Sequence, residues 1–347
     1  MHAGTTPLAA PLRLDQLANR NSNRLHTSPF RIGVICLAAL IPAMLIAVVV
    51  FLALYSWPAI NFNGVGFLFR TTWNLGNLYA NPVTVHGTLV PHGAQYGILV
   101  FIVGTLATSA IALLIAVPVS LGVAVFIAEG APPHLRPTLS LIVELLAVVP
   151  SVVYGLWGIA VLVPLVAHYI GPALNAVLGF LPFFAGGSPT GFGLLSASLV
   201  LTLMVVPIIT ATVYSALLQV PRPDKEAAYA LGAMKFEVAV RAMLPMVRGS
   251  IIGAVILGLG RALGETMAVL MVSGGAINYL PGTILTPIST MASFIVSQLD
   301  SAEQDPTGMA VRSLAEIALV LFIITVIVNV IARMITKGLH VGVASRA

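Results

Sequence analysis

The residues best placed to do chemistry are two charges inside an apolar run, Arg261 and Glu265 in GLGRALGETMAVLMV. A charge at bilayer depth costs about 2.5–3.5 kcal/mol on insertion scales, so it stays only with a partner or a task. An i, i+4 spacing puts both side chains on one helical face, where they can pair. One reading is a structural ion pair between packed helices. The other is a polar contact on a substrate path. Arginine suits an oxyanion because its planar donors grip two oxygens at once. Glu265 would then hold Arg261 in place and keep the empty site neutral. Thr266 adds a hydroxyl beside them, and Gly260 and Gly264 form a small-xxx-small pattern that allows close helix approach. A further charge, Glu144 in VELLAVVPSVVYGLWG, either reaches interfacial water or pairs across helices with Arg261. Tyr154 and Trp157 are pathway or packing residues.

Other chemistries find no support. The seven histidines are scattered and none pair at metal-ligand spacing. The single cysteine, Cys36, permits neither an internal disulfide nor a Cys-based metal site. No Ser-His-Asp or paired-carboxylate arrangement can be argued, which weighs against a membrane-embedded enzyme. The string G-x-x-x-x-G-K-[ST] is absent, so the chain offers no phosphate-cradling loop of its own.

What must position these residues is a membrane bundle. Of 347 residues, 59% are hydrophobic and 8% charged, against about 25% charged in soluble proteins. Spanning takes about 20 apolar residues in a helix. Six stretches qualify: 32–55, 96–128, 138–169 with Pro150 inside, 194–218, 250–273 and 314–335. The reading is all-α and polytopic, with six transmembrane helices forming a membrane domain over 32–337. Residues 1–31 read as a disordered cytoplasmic tail and 338–347 as a second tail; no cleavable signal peptide is evident. The piece 284–299 is too short and interrupted for a span and is expected to be re-entrant or on the outer face.

Loop charges orient the bundle. Arg13, Arg20, Arg24 and Arg31 precede the first span, Arg136 follows the second, and Arg222, Lys225, Lys235, Arg241 and Arg248 follow the fourth. Arg333, Lys337 and Arg346 end the chain, while only Arg70 and Arg312 fall on the opposite side. The positive-inside bias places both termini in the cytoplasm. The basic excess is thus a topology signal, and no nucleic-acid partner is expected.

The longest inner loop, 219–249, is QVPRPDKEAAYALGAMKFEVAVRAMLPMVRG. Pro221 and Pro223 stop the fourth span, and Asp224 can cap a new helix. Ala227, Ala228 and Ala230 favour that helix, and Gly232 fits the left-handed position that closes it. A second short helix is expected from about Met234 to Leu244, with Pro245 opening the next element. A small-residue surface lets another protein approach closely; an ordinary interfacial loop is the competing reading.

Glu226, Ala227, Ala228, Gly232, Leu244 and Pro245 stand at the spacing of the EAA loop of ABC importer permeases, which this loop resembles. Ala242 departs from the usual Ile three residues before the Pro. Together with TLATSAIALLIAVPVSLGVAVFIAE, VELLAVVPSVVYGLWG, GAVILGLGRALGETMAVLMV and EIALVLFIITVIVNVIARM, the loop makes most of residues 96–337 similar to the C-type permease of phosphate ABC importers. The resemblance implies a type I importer fold in a bacterial or archaeal cell membrane. It implies a heterodimer with an A-type permease, two ATPase subunits docked on the loop, and a periplasmic or extracellular phosphate-binding protein. ATP and magnesium would then be bound by the partner ATPase, with no cofactor on this chain. Import of another oxyanion such as molybdate or sulfate, or ATP-independent secondary transport, are the rival expectations.

Overall fold

The structure, a computed structural model, describes the backbone of residues 29–186 and 190–344 and the side chains of 33–186 and 190–334. Residues 1–28, in which nearly all of the expected N-terminal tail falls, and 345–347, the end of the expected C-terminal tail, lie outside the described residues. The chain divides into two compact units, one ending at Leu54 and one from Tyr55 onward.

Helix α1, Pro29–Asn63, supplies the described part of the first unit. Its most apolar window has a mean hydropathy of 3.0 and no buried residue. A helix that is apolar all round and exposed all round is stable only with lipid as its solvent.

The second unit begins with the last turns of α1 and an outer segment that holds a small hairpin. There β1 (Val83–Val85) pairs antiparallel with β2 (Thr88–Val90), in the register Val83↔Val90. Helix α2 (Leu99–Gly130) then runs against α5 (Leu194–Leu218). Gly104, Thr108, Ala112, Ala116, Ser120, Ala124 and Ala128 fall on every fourth residue of α2. Each of these positions is small and buried. Against the central part of this stripe lie Leu201, Val205, Ile209 and Val213 of α5. Close backbones permit hydrogen bonds across the seam: Ser120 Oγ donates to the Val206 carbonyl at 3.2 Å and Thr202 Oγ1 to the Ala112 carbonyl at 3.3 Å. Such bonds contribute about 0.6 kcal/mol each in membranes. Helix α5 is the central post, with 72% of its most apolar window buried.

The expected third span is corrected. Helix α3 (Arg136–Val148) ends before Pro150, and a separate helix α4 (Ser151–Leu178) makes the crossing. Val149 and Pro150 are both extended, with ψ of 129° and 139°. A proline removes a donor and pushes its predecessor out of the helical region, so here it breaks the helix rather than kinking it. Helix α4 winds through two wide π turns, Gly158–Leu162 and Val166–Ile170. It therefore continues to Leu178, beyond the expected end of the span at residue 169.

The inner loop folds as α6 (Arg222–Ala230) and α7 (Lys235–Met246), and α7 meets α8 (Arg248–Leu263) at a bend of 76°. Helix α8 and the short α9 (Met267–Val272) together occupy the expected fifth span, with a break at 264–266. Helix α10 (Met291–Glu303) falls largely within the doubtful piece. At 13 residues it is about 20 Å long, too short to cross. Helix α11 (Met309–Ala344) is the last crossing and stays helical past residue 338. Among the described residues, five helices are long and apolar enough to cross, or six if the bent α7–α8 pair is one span.

Candidate functional site

The break between α8 and α9 decides the fate of the charged pair. Helix α8 ends at Leu263, and Gly264 caps it. The Glu265 carboxylate turns to the start of α9, where Oε1 accepts from the Ala268 N–H at 3.3 Å. Thr266 stands at the N-cap of α9, and its hydroxyl donates to the Gly264 carbonyl at 3.2 Å. Arg261 and Glu265 are therefore not on one continuous helix and form no ion pair, contrary to the i, i+4 expectation. The physical reason is local: four orphan amides open every helix, and a carboxylate three residues upstream is well placed to accept from one.

Arg261 instead faces a cavity of about 720 Å³. Ala147 at the end of α3, Ile208 of α5, and Ile256, Leu257 and Gly260 of α8 line it, with Val326, Asn329, Val330 and Arg333 of α11. No carboxylate belongs to this wall among the described residues. Glu144 lies one turn before Ala147 but on an exposed part of α3, and it forms no ion pair with Arg261. Tyr154 stitches the α3–α4 break: its hydroxyl donates to the Leu146 carbonyl at 2.8 Å, which also accepts from the Val149 N–H at 3.4 Å in the last turn of α3. Trp157 is 42% exposed.

The inner loop presents a second surface. Asp224 is the third residue of α6 and caps nothing with its side chain, so it acts only as a negative charge in the first turn, where it complements the helix dipole. The C-terminus follows its expected form. Gly232 has φ of +82°, its N–H bonds the Tyr229 carbonyl, and the Ala233 N–H reaches back to the Ala228 carbonyl at 3.2 Å. These are the two bonds of a Schellman cap. Helix α7 starts one residue later than expected and keeps Leu244 and Pro245 within its last turn. Glu237 accepts from the Met234 N–H at 3.0 Å and fixes that start. Leu231, Met234 and Phe236 are 90%, 71% and 71% exposed. Exposed apolar residues gathered in this way mark an interaction surface, for another protein or for the membrane.

Sequence reasoning missed three features. Lys225 Nζ lies 2.9 Å from Glu129 Oε1, joining α6 to the end of α2. Burial first, then the Glu129 charge and its hydrogen bond, raise the Tyr229 phenol above its ordinary value. Glu316 is buried in α11 and accepts from Asn63 Nδ2 at 2.7 Å; a carboxylate inside an apolar run was the available signal. Arg333 was read only as a topology charge, since nothing in its local string places it at the cavity that Arg261 also lines. Among the described residues no group of three or more His, Cys, Asp or Glu could hold a metal.

Residues 120–341 match the family "Binding-protein-dependent transport system inner membrane component". "Phosphate transport system permease protein PstC 1" of Mycobacterium tuberculosis is 50% identical over 278 residues, 79% of this chain and 82% of that protein. "Phosphate transport system permease protein PstC" of Haemophilus influenzae is 40% identical over 304 residues, 86% of this chain and 90% of that protein. Among solved structures, an inward-facing conformation of the MetNI methionine ABC transporter aligns at a TM-score of 0.48 and 21% identity, covering 68% of this chain and 92% of that chain. A bundle of broken, lipid-exposed helices and this extent of identity lead to one conclusion: the chain belongs to the family of binding-protein-dependent transport system inner membrane components.

Proposed function

We propose that this chain is the C-type permease subunit of an ATP-driven importer that moves inorganic phosphate into the cytoplasm across a bacterial or archaeal plasma membrane. The observation that carries the reading is 50% identity to a phosphate permease over 79% of the chain. In this reading the chain takes the type I importer fold and pairs with an A-type permease. Two ATPase subunits, which bind ATP and magnesium, dock on Glu226, Ala227, Ala228, Gly232, Leu244 and Pro245. A phosphate-binding protein delivers the anion from outside. The exposed apolar residues of the inner loop support the docking surface.

Arg261 offers the passing anion a charge-assisted contact. Glu265 and Thr266 set the start of α9 beside it, and Glu144 lies on the neighbouring face of α3. ATP closure pushes on 225–245 and changes access to the cavity. Hydrogen bonds to charged groups contribute about 1.5–3 kcal/mol. Arg261→Gln should therefore lower ATP-driven phosphate uptake by about ten- to a hundredfold in proteoliposomes holding the complete transporter. Uptake at the wild-type rate removes Arg261 from the path. Uptake indifferent to excess phosphate but competed by molybdate or sulfate moves the substrate to another oxyanion.

A further inference from the structure

The inner end of α2 and the helix α7 line a groove of about 440 Å³. Helix α7 contributes Phe236, Val240 and Leu244, at every fourth residue. Helix α2 contributes Gly122, Phe126 and Gly130, also at every fourth residue. These three continue an exposed stripe that begins at Leu114 and Pro118, on the lipid side of the crossing helix. The groove is thus the inner end of a face that lipid already covers. Two charged residues line it, Glu129 and Lys235. Glu129 has its counter-charge in Lys225 at 2.9 Å. Lys235 is exposed and makes no ion pair among the described residues, whereas Arg241 on the same helix lies 3.5 Å from Glu237. Depth follows from length. Helix α2 has 32 residues, so it is about 48 Å long against about 30 Å of hydrocarbon. Its last turns reach the headgroup level, where acyl chains and phosphates lie side by side.

We propose that this groove holds an anionic phospholipid of the cytoplasmic leaflet, an acyl chain along Phe126, Phe236 and Val240 and the headgroup phosphate on the Lys235 ammonium. The positive-inside bias sets the leaflet. Charge complementarity sets the headgroup: the cytoplasmic leaflet is negative, and a basic residue near it favours anionic lipid. A zwitterionic lipid fills the groove equally well but brings its own cation to Lys235. The lipid is a wedge that touches α2 on one side and the inner loop on the other. Of the residues proposed to meet the ATPase only Leu244 lines the groove, so lipid and ATPase stand on largely separate surfaces. The site uses no property of the transported anion and is independent of its identity.

The test uses the complete transporter in nanodiscs that hold phosphatidylglycerol or phosphatidylcholine with the same photoactivatable acyl chain, at equal mole fraction. Labelled peptides are mapped by mass spectrometry. Labelling of 121–130 and 235–244 should be about fivefold higher with phosphatidylglycerol, the effect of one basic residue near an anionic surface. Labelling around Leu114, on the same stripe but away from Lys235, should be equal for the two lipids. Lys235→Gln should remove the preference and Lys235→Arg should keep it. Gly122→Leu, where an added Cβ meets no atom within 4 Å, should fill the groove and lower its labelling by both lipids. Equal labelling of the groove by the two lipids, or a preference that survives Lys235→Gln, overturns the site. So does a groove that takes no lipid while an amine-reactive cross-linker joins Lys235 to the ATPase, a result that gives the surface to the partner protein.

Discussion

At the scale of single residues, local hydrogen bonds outrank charge pairing. Glu265 had been the natural partner of Arg261, yet its carboxylate serves the first turn of α9. A cap of this kind contributes about 1 kcal/mol. Glu265→Gln keeps an acceptor oxygen and should leave thermal stability within about 0.5 kcal/mol, whereas Glu265→Ala should lose about 1 kcal/mol. Thermal unfolding of the purified complex compares the two, and an equal loss from both would mean that the charge itself matters. Gly232 carries a different constraint. A Cβ there meets no atom within 4 Å, so space is not limiting, but φ of +82° disfavours any side chain. Gly232→Ala should weaken the cap by about 1 kcal/mol and reduce the ATPase that co-purifies, read by quantitative gel analysis. Unchanged recovery would separate the cap from docking.

At the scale of elements, the sequence reports existence better than boundaries. Apolar length revealed α1, α2, α5 and α11, because lipid demands it. It could not separate a kink from a break at Pro150, since both leave the same apolar run. Nor did it reveal the small-residue stripe on α2, which is spread over seven positions across 25 residues. The inner loop was legible because proline, alanine and glycine act locally; the cavity was not, because α3, α5, α8 and α11 line it together only once packed. Two predictions belong here. Ala116→Leu places a large side chain in the α2–α5 seam. Overpacking costs about 1–3 kcal/mol, so yield and melting temperature of the complex should fall, while Leu114→Ala, at a position 76% exposed, should change little. Pro150→Ala restores a backbone donor between α3 and α4. It should make α3 and α4 more nearly continuous, seen as a changed distance between spin labels on the two helices; an unchanged distance would credit the break to tertiary packing.

At the scale of the whole molecule, the Lys225–Glu129 pair joins the inner loop to α2. Both side chains are mostly buried, at 20% and 14% exposure. If α6 transmits its movement through this contact, Lys225→Gln should lower the phosphate moved per ATP hydrolysed more than it lowers hydrolysis itself. The reversed pair, Lys225→Glu with Glu129→Lys, should recover part of that ratio, whereas a pair that only stabilises the fold would leave the ratio constant.

The stripe of small residues on α2 has a mechanical consequence. Gly104, Ala112, Ala116 and Ala124 leave no side-chain bulk that can rotate aside, and carbonyls on both helices accept bonds from the other. Sliding α2 along α5 would ride one backbone over the other and break those bonds together. Helices α8 and α11 instead line an open space of about 720 Å³. Motion during a transport cycle is therefore divided before ATP arrives: α2 and α5 travel as one rigid beam, and the room for movement lies at the cavity that α8 and α11 line.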